Sequence, residues 1–204
     1  LNDSGFKRED IEAIYVGNML SGTLGGQDHL GAFFAEELGM SVSATRVEGA
    51  CASGGLAVHA GVSAILSGLY KNILVIGIEK MTDHKPEEVA KALMGAGSEE
   101  ERECGATFPS LYALIARIHM EKYGTTEEDL AYVAVKNHYH ASLNSHAQFT
   151  KTVTLADVLN SPVISSPLKL LDCSPITDGA AAVVLSQKSE VNIIASSVAT
   201  DSLG

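Results

Sequence analysis

Between Glu48 and Lys71 the chain carries no charged side chain, and this stretch constrains the fold more than any other. Within it, Ala52 to Gly68 is apolar or small on every side, the pattern of a helix buried all round. Ahead of it, Val42–Val47 alternates with β-branched residues and reads as a strand. Beyond it, Ile73–Ile78 is short and continuously apolar, as in a strand covered on both faces. The stretch is long enough to raise a membrane span. Gly, Ser, His and Cys dilute it, however, and strands flank it, so a core helix is predicted. Strand, tight turn, helix, strand in this order predicts an α/β fold.

Cys51 stands at that turn. The first backbone N–H groups of a helix lack intrahelical partners, and the macrodipole places partial positive charge there. Both favour thiolate over thiol, so a cysteine at such a position has a physical reason to be nucleophilic. Gly49, Gly54 and Gly55 leave room for backbone and substrate to approach closely. The alternative is a small buried cysteine that only packs, since free Cys is among the most buried residue types. Spacing alone leaves both readings open.

The formal net charge of −11 argues against a nucleic-acid or anionic-membrane partner, which would require a basic face. A composition of 46% hydrophobic and 19% charged residues is that of a packed globular chain, not a disordered one. Three widely separated cysteines do not form a secreted disulfide framework, so a reducing cytosol, and a cytoplasmic location, is the simpler expectation. No signal or transit segment is visible at the start. Ser21–Gly26 is glycine-rich, but no Gly-Lys-Ser/Thr follows it and no G-x-G-x-x-G is present, so it reads as a plain loop.

Several motifs resemble those of one family. Val47-Glu-Gly-Ala-Cys51-Ala-Ser-Gly54 resembles the nucleophile elbow of the thiolases. Gly77-Ile-Glu79-Lys-Met81-Thr82 is similar to their G-x-E-x-M-[ST] segment, and Asp178-Gly-Ala-Ala-Ala-Val-Val184-Leu185 to their N-D-G-A-A-A-V-L segment. Lys136-Asn-His138-Tyr-His140 through Phe149 is similar to the branch that includes the sterol-carrier-protein-fused thiolases. Glu48 departs from the family, many members of which carry Asn there.

The resemblance implies a thiolase-like αβαβα layered fold, of which this chain is the N-terminal half with an α-rich loop-domain insertion. On that basis 1–82 is the first part of the core, 83–167 the loop domain, 168–190 the return to the core, and 191–204 the start of a linker to a second half. Pro86, Gly95, Gly97 and the acidic run Glu99–Glu101 mark the change of character after residue 83. Val191–Val198 is predicted as a strand. Helices are predicted over Gln27–Leu38, over Leu111–Met120 closed by Gly124, and from a capping box at Thr125–Glu128 to about Asn144; Thr154–Asp157 opens another.

The resemblance further implies an acyl-CoA C-acyltransferase: Cys51 as the catalytic nucleophile, acyl-CoA thioesters as substrates, and no cofactor beyond them. It also implies a homodimer or homotetramer with Val42–Val47 near the subunit interface. The proton-transfer histidine, second cysteine and asparagine of the family fall outside these residues. A thiolase-like subunit that binds a partner or acyl chain without catalysis, or a ketoacyl-synthase-like condensing enzyme, are the alternatives.

Other candidates are weaker. His138 and His140 share no helix face, so no metal site is expected from them. His59 reads as a core histidine, Cys104 and Cys173 as packing residues, and Lys80 and Lys85 as solvated. Glu79 follows a buried strand without a matching basic neighbour and reads as an acceptor of backbone hydrogen bonds.

Overall fold

The computed structural model describes residues Leu1–Leu203, which fall into two compact units: Leu1–Lys85 with the chain from Asp178 onward, and Pro86–Thr177. In chain order the elements begin with β1 (Ala13–Gly17), α1 (Leu30–Glu37), β2 (Ser43–Val47), α2 (Ser53–Leu66) and β3 (Asn72–Glu79). The second unit holds α3 (Pro86–Leu93), α4 (Glu99–Glu103), α5 (Phe108–Tyr123), α6 (Glu127–Ser142), α7 (Leu155–Leu159), β4 (Val163–Ser165) and β5 (Leu168–Lys169). The chain then forms β6 (Gly179–Ser186) in the first unit.

The first unit is a four-stranded sheet in the order β2-β1-β3-β6. β2, β1 and β3 are parallel, and β6 runs antiparallel along β3. Alternation along the strands assigns the two faces. Ile14, Val16, Leu74 and Ile76 pack with Leu30 and Phe34 of α1, whereas Ala13, Ile73 and Val75 pack with Ala57 and Ala64 of α2. Ser53, Ala57, Gly61 and Ala64 form one small-residue stripe on α2, which lets the helix lie close to the sheet. A Cβ on Gly61 would stand 2.7 Å from the Leu185 side chain.

That stripe is the only fully buried face of α2 among the described residues. The expected burial on every side is therefore corrected: Gly54 and Gly55 are exposed, and Leu66 is 81% exposed. The helix is apolar all round, but the described residues cover only the side that meets the sheet. The expected strand at Val191–Val198 is also absent; the segment pairs with no strand, and Ile194 is 97% exposed.

In the second unit Ala131 and Ala134 of α6 pack with Val158 of α7. Four helices open on capping boxes. Ser98 pairs with Glu101 before α4, Thr107 with Ser110 before α5, Thr126 with Asp129 before α6, and Thr154 with Asp157 before α7. The box opening α6 lies one residue later than the expected Thr125–Glu128, because Asp129 rather than Glu128 returns its carboxylate to the cap N–H, at 2.8 Å. α5 ends where Gly124 adopts φ 72°, the left-handed conformation that glycine takes at least cost. This unit continues to Thr177 rather than ending at Pro167. Lys169 Nζ reaches Leu159 O at 2.6 Å and Glu127 Oε2 at 2.9 Å, tying the returning chain to α6 and α7. Among the described residues no helix is long and apolar enough to cross a membrane.

Candidate active site

The parallel strands end level with one another, Gly17 opposite both Val47 and Gly77. The segments that follow β1, β2 and β3 therefore leave from one edge of the sheet, the carboxyl edge where open α/β sheets place their ligands. Asp178, immediately before β6, returns to the same edge because Gly179 pairs with Glu79.

Cys51 follows β2 at this edge. It is exposed and sits in a single 3-10 turn, Ala50–Ala52, directly before α2 begins at Ser53, rather than in the first turn of the α-helix itself. Ala50 has φ 49°, and no other non-glycine residue among those described has positive φ. For a residue with a Cβ this conformation costs roughly 1–2 kcal/mol. Hydrogen bonds on both sides hold it. Glu48 Oε1 accepts the Ala50 N–H at 2.6 Å; Ser53 Oγ accepts the Gly49 N–H at 3.0 Å and donates to Ala50 O at 2.7 Å. At Gly49 a Cβ would meet only the Leu56 Cδ1 methyl, the end of a flexible side chain that can turn aside. The α2 cap residue, Ala52, offers no side-chain acceptor to the first-turn N–H groups. The turn thus places a thiol beside backbone donors that no side chain has claimed.

The neighbouring segment is fixed by Glu79. Its carboxylate accepts the N–H groups of Met19 (3.0 Å) and Leu20 (3.3 Å) and the Asn18 side-chain amide (3.0 Å), the backbone-acceptor role expected of it, while the adjacent Lys80 turns to Asp83. Arg46 adds a second tie, donating to Met19 O at 2.7 Å and Asn18 O at 3.3 Å. Asp178 accepts the Met81 and Thr82 N–H groups and the Thr82 hydroxyl. Those three donors, the Thr82 hydroxyl foremost, hold its carboxyl below the usual range.

The other candidates are dispersed. His59 is half-buried, with Nδ1 2.9 Å from Ser196 Oγ. Lys80 forms a surface ion pair with Asp83. Cys104 is not a packing residue: it is exposed, and its Sγ donates to Glu101 O at 3.2 Å. Cys173 is half-buried beside a cavity of about 440 Å³ in the second unit, shared with Leu130, Phe149, His138 and Asp172. Burial, and then the Asp172 charge, push its thiol pKa up. His138 Nδ1 and Asp172 Oδ1 are buried there without a hydrogen-bond partner among the described residues, and the His138 ring stacks on Phe149 at 5.6 Å.

Residues 1–189 match the family model for the thiolase N-terminal domain. The chain belongs to the thiolase family. An acetyl-CoA acetyltransferase of Methanothermobacter thermautotrophicus is 48% identical over 91% of this chain and 48% of its own length. Sterol carrier protein 2 of Gallus gallus is 29% identical over 98% of this chain and 40% of its own length. A solved Ltp2–ChsH2(DUF35) aldolase superimposes with a TM-score of 0.70 at 27% identity, over 91% of this chain and 47% of that one. The chain thus spans about half the length, or less, of these thiolase relatives, and its α/β fold is thiolase-like.

The roles of Glu48 and Ala50 were not foreseen from sequence. A side-chain acceptor two residues before a helix-opening turn was the available signal for Glu48. Nothing in the sequence marks Ala50 as the residue that takes positive φ next to Gly49.

Proposed function

We propose that this chain supplies the nucleophile-bearing half of an acyl-CoA C-acyltransferase of thiolase type. The reading is supported chiefly by the exposed Cys51 on its strained turn ahead of α2, within a thiolase N-terminal domain. The Cys51 thiolate attacks the carbonyl carbon of an acyl thioester, and the bond from that carbon to the coenzyme A sulfur breaks. Coenzyme A leaves as thiolate and takes a proton, and the acyl group remains on Cys51. A second thioester, deprotonated at the carbon next to its carbonyl, then attacks the acyl carbon and Cys51 is released. The reverse direction is thiolytic cleavage of a 3-ketoacyl thioester.

Backbone N–H groups at the turn, that of Cys51 first, are the candidate donors to the oxyanion formed in each addition. The base that removes the carbon-bound proton lies outside the 204 residues in this reading, and no cofactor beyond the thioester substrates takes part. β2 is an edge strand, and edge strands are normally covered; a second subunit is the proposed cover. The test is a single-turnover experiment on the full-length protein with labelled acetyl-CoA, quenched and mapped by peptide mass. Label on the Cys51 peptide, lost in Cys51→Ala, is expected. Turnover retained by Cys51→Ala overturns the proposal.

A second reading has one observation in its favour, the similarity to an aldolase solved as an Ltp2–ChsH2(DUF35) pair. In that reading this protein works beside another chain, and isolated full-length protein forms no acyl-enzyme until that chain is added.

A further inference from the structure

We infer that Glu48 is a positioning residue for Cys51, acting through the backbone of Ala50. The inference rests on the reading that Cys51 is acylated. The conformation of Ala50 is the angle between two peptide groups, the one before it and the one after it. Glu48 Oε1 holds the first by its N–H, at 2.6 Å, and Ser53 Oγ holds the second by its carbonyl, at 2.7 Å. With both peptide groups fixed, Ala50 stays at φ 49°, and the next residue in the chain is the nucleophile.

The two anchors differ in kind. Ser53 is buried beneath the turn, 4% exposed, and belongs to the stripe of α2 that packs on the sheet. Glu48 is exposed and has no packing role to explain a long acidic side chain folded back on its own backbone. Without Glu48 the Ala50 N–H loses its carboxylate, and the peptide before Ala50 is free to rotate toward the ordinary negative-φ region. Such a rotation moves Cys51 relative to the first N–H groups of α2. Displacement of a reacting group by about an ångström can cost up to a hundredfold in rate.

Substitutions separate acceptor, charge and backbone. Glu48→Gln keeps an acceptor oxygen at the same reach and removes the charge. Glu48→Ala removes both. Ala50→Gly removes the reason for an anchor, because glycine takes positive φ without strain.

Single-turnover acylation of Cys51 by acetyl-CoA is measured across substrate concentrations in the full-length protein, with iodoacetamide labelling of Cys51 relative to Cys104 in parallel. Glu48→Ala is expected to lower the limiting acylation rate about tenfold or more with half-saturation unchanged. It should also lower the Cys51 labelling ratio at least threefold or so. Glu48→Gln should stay within about threefold of the parent, and Glu48→Ala/Ala50→Gly should recover most of the loss.

Acylation by Glu48→Ala at the parent rate overturns the inference. So does Glu48→Gln as slow as Glu48→Ala, which would make charge the agent, or a double variant that recovers nothing. If the parent Cys51 takes no acyl group, the acyltransferase reading fails by itself. The labelling ratios of the same four proteins then decide whether Glu48 positions the thiol.

Discussion

Asp178 and Thr82 are joined twice: one carboxylate oxygen accepts the Thr82 N–H at 2.9 Å, and the other accepts its hydroxyl at 2.6 Å. Met81 N–H adds a third bond at 2.7 Å. Within the first unit this ties the segment after β3, where the chain departs, to the residue before β6, where it returns. The donors bond the ionised carboxylate and hold its pKa below the ordinary aspartate value. A group depressed in the folded state contributes stability that is complete above its unfolded pKa, about 3.9, and is lost as pH falls through the lower folded value.

Asp178→Asn should therefore lower the melting temperature at pH 7, and the gap from the parent should close only below about pH 4. Thermal melts of both proteins from pH 7 to pH 3 measure this. A gap that stays constant over that range would remove the carboxylate from the account.

The three thiols should label at different rates. Cys51 and Cys104 are exposed, but only Cys51 precedes the first turn of a longer helix; the Cys104 thiol donates to a carbonyl. Cys173 is kept in its thiol form by burial and by Asp172. Iodoacetamide at pH 8 with peptide mapping should modify Cys51 first and Cys173 last. Cys173 modified as fast as Cys51 in folded protein contradicts the ordering.

Glu79→Ala removes the acceptor from two backbone N–H groups and one side-chain amide. Partly buried donors left without a partner cost about 1–3 kcal/mol, so a loss of roughly 2–3 kcal/mol in denaturant melts is expected. Glu79→Gln should recover part of it, because one amide oxygen replaces two carboxylate oxygens.

Much of this architecture is legible because its signals are local. Continuous apolar runs give β3, alternation gives β2, and Gly124 and Thr154–Asp157 mark helix ends through fixed chemistry. Glu79 is legible because a carboxylate at the end of a buried apolar strand needs hydrogen-bond donors, and nearby backbone N–H groups are the ready source. Errors arise where an outcome depends on what lies opposite a residue. Apolarity on every side of α2 shows that the helix can be buried, not that the described residues surround it. The exposed Val191–Val198 shows that a β-branched run without a neighbouring strand edge does not form a strand. The positive φ of Ala50 depends on hydrogen bonds from Glu48 and Ser53, which no propensity encodes.

Two glycines near Cys51 look alike in sequence and should behave in opposite ways. A Cβ on Gly17, at the end of β1, would stand 2.6 Å from Ser53 O and 2.7 Å from Gly54 Cα. These are backbone atoms of the first turn of α2, which cannot swing aside as a side chain can. Gly17→Ala must push the start of α2 away from β1, at about 1–3 kcal/mol, the usual cost of overpacking. Gly55 lies in the same first turn of α2, is exposed, and has nothing within 4 Å of a built Cβ. Gly55→Ala should leave stability unchanged or raise it by up to about 1 kcal/mol, because alanine loses less backbone freedom in a helix. Acylation at Cys51 should fall in both variants, for different reasons. In Gly17→Ala the turn is displaced, so melting temperature and acylation rate fall together. In Gly55→Ala the protein is as stable as the parent, and only a substrate lying against that face of the first turn can make the added methyl matter. Melting curves and single-turnover acylation on both full-length variants decide the matter. A Gly55→Ala protein that acylates Cys51 at the parent rate would place the thioester elsewhere than over the first turn of α2.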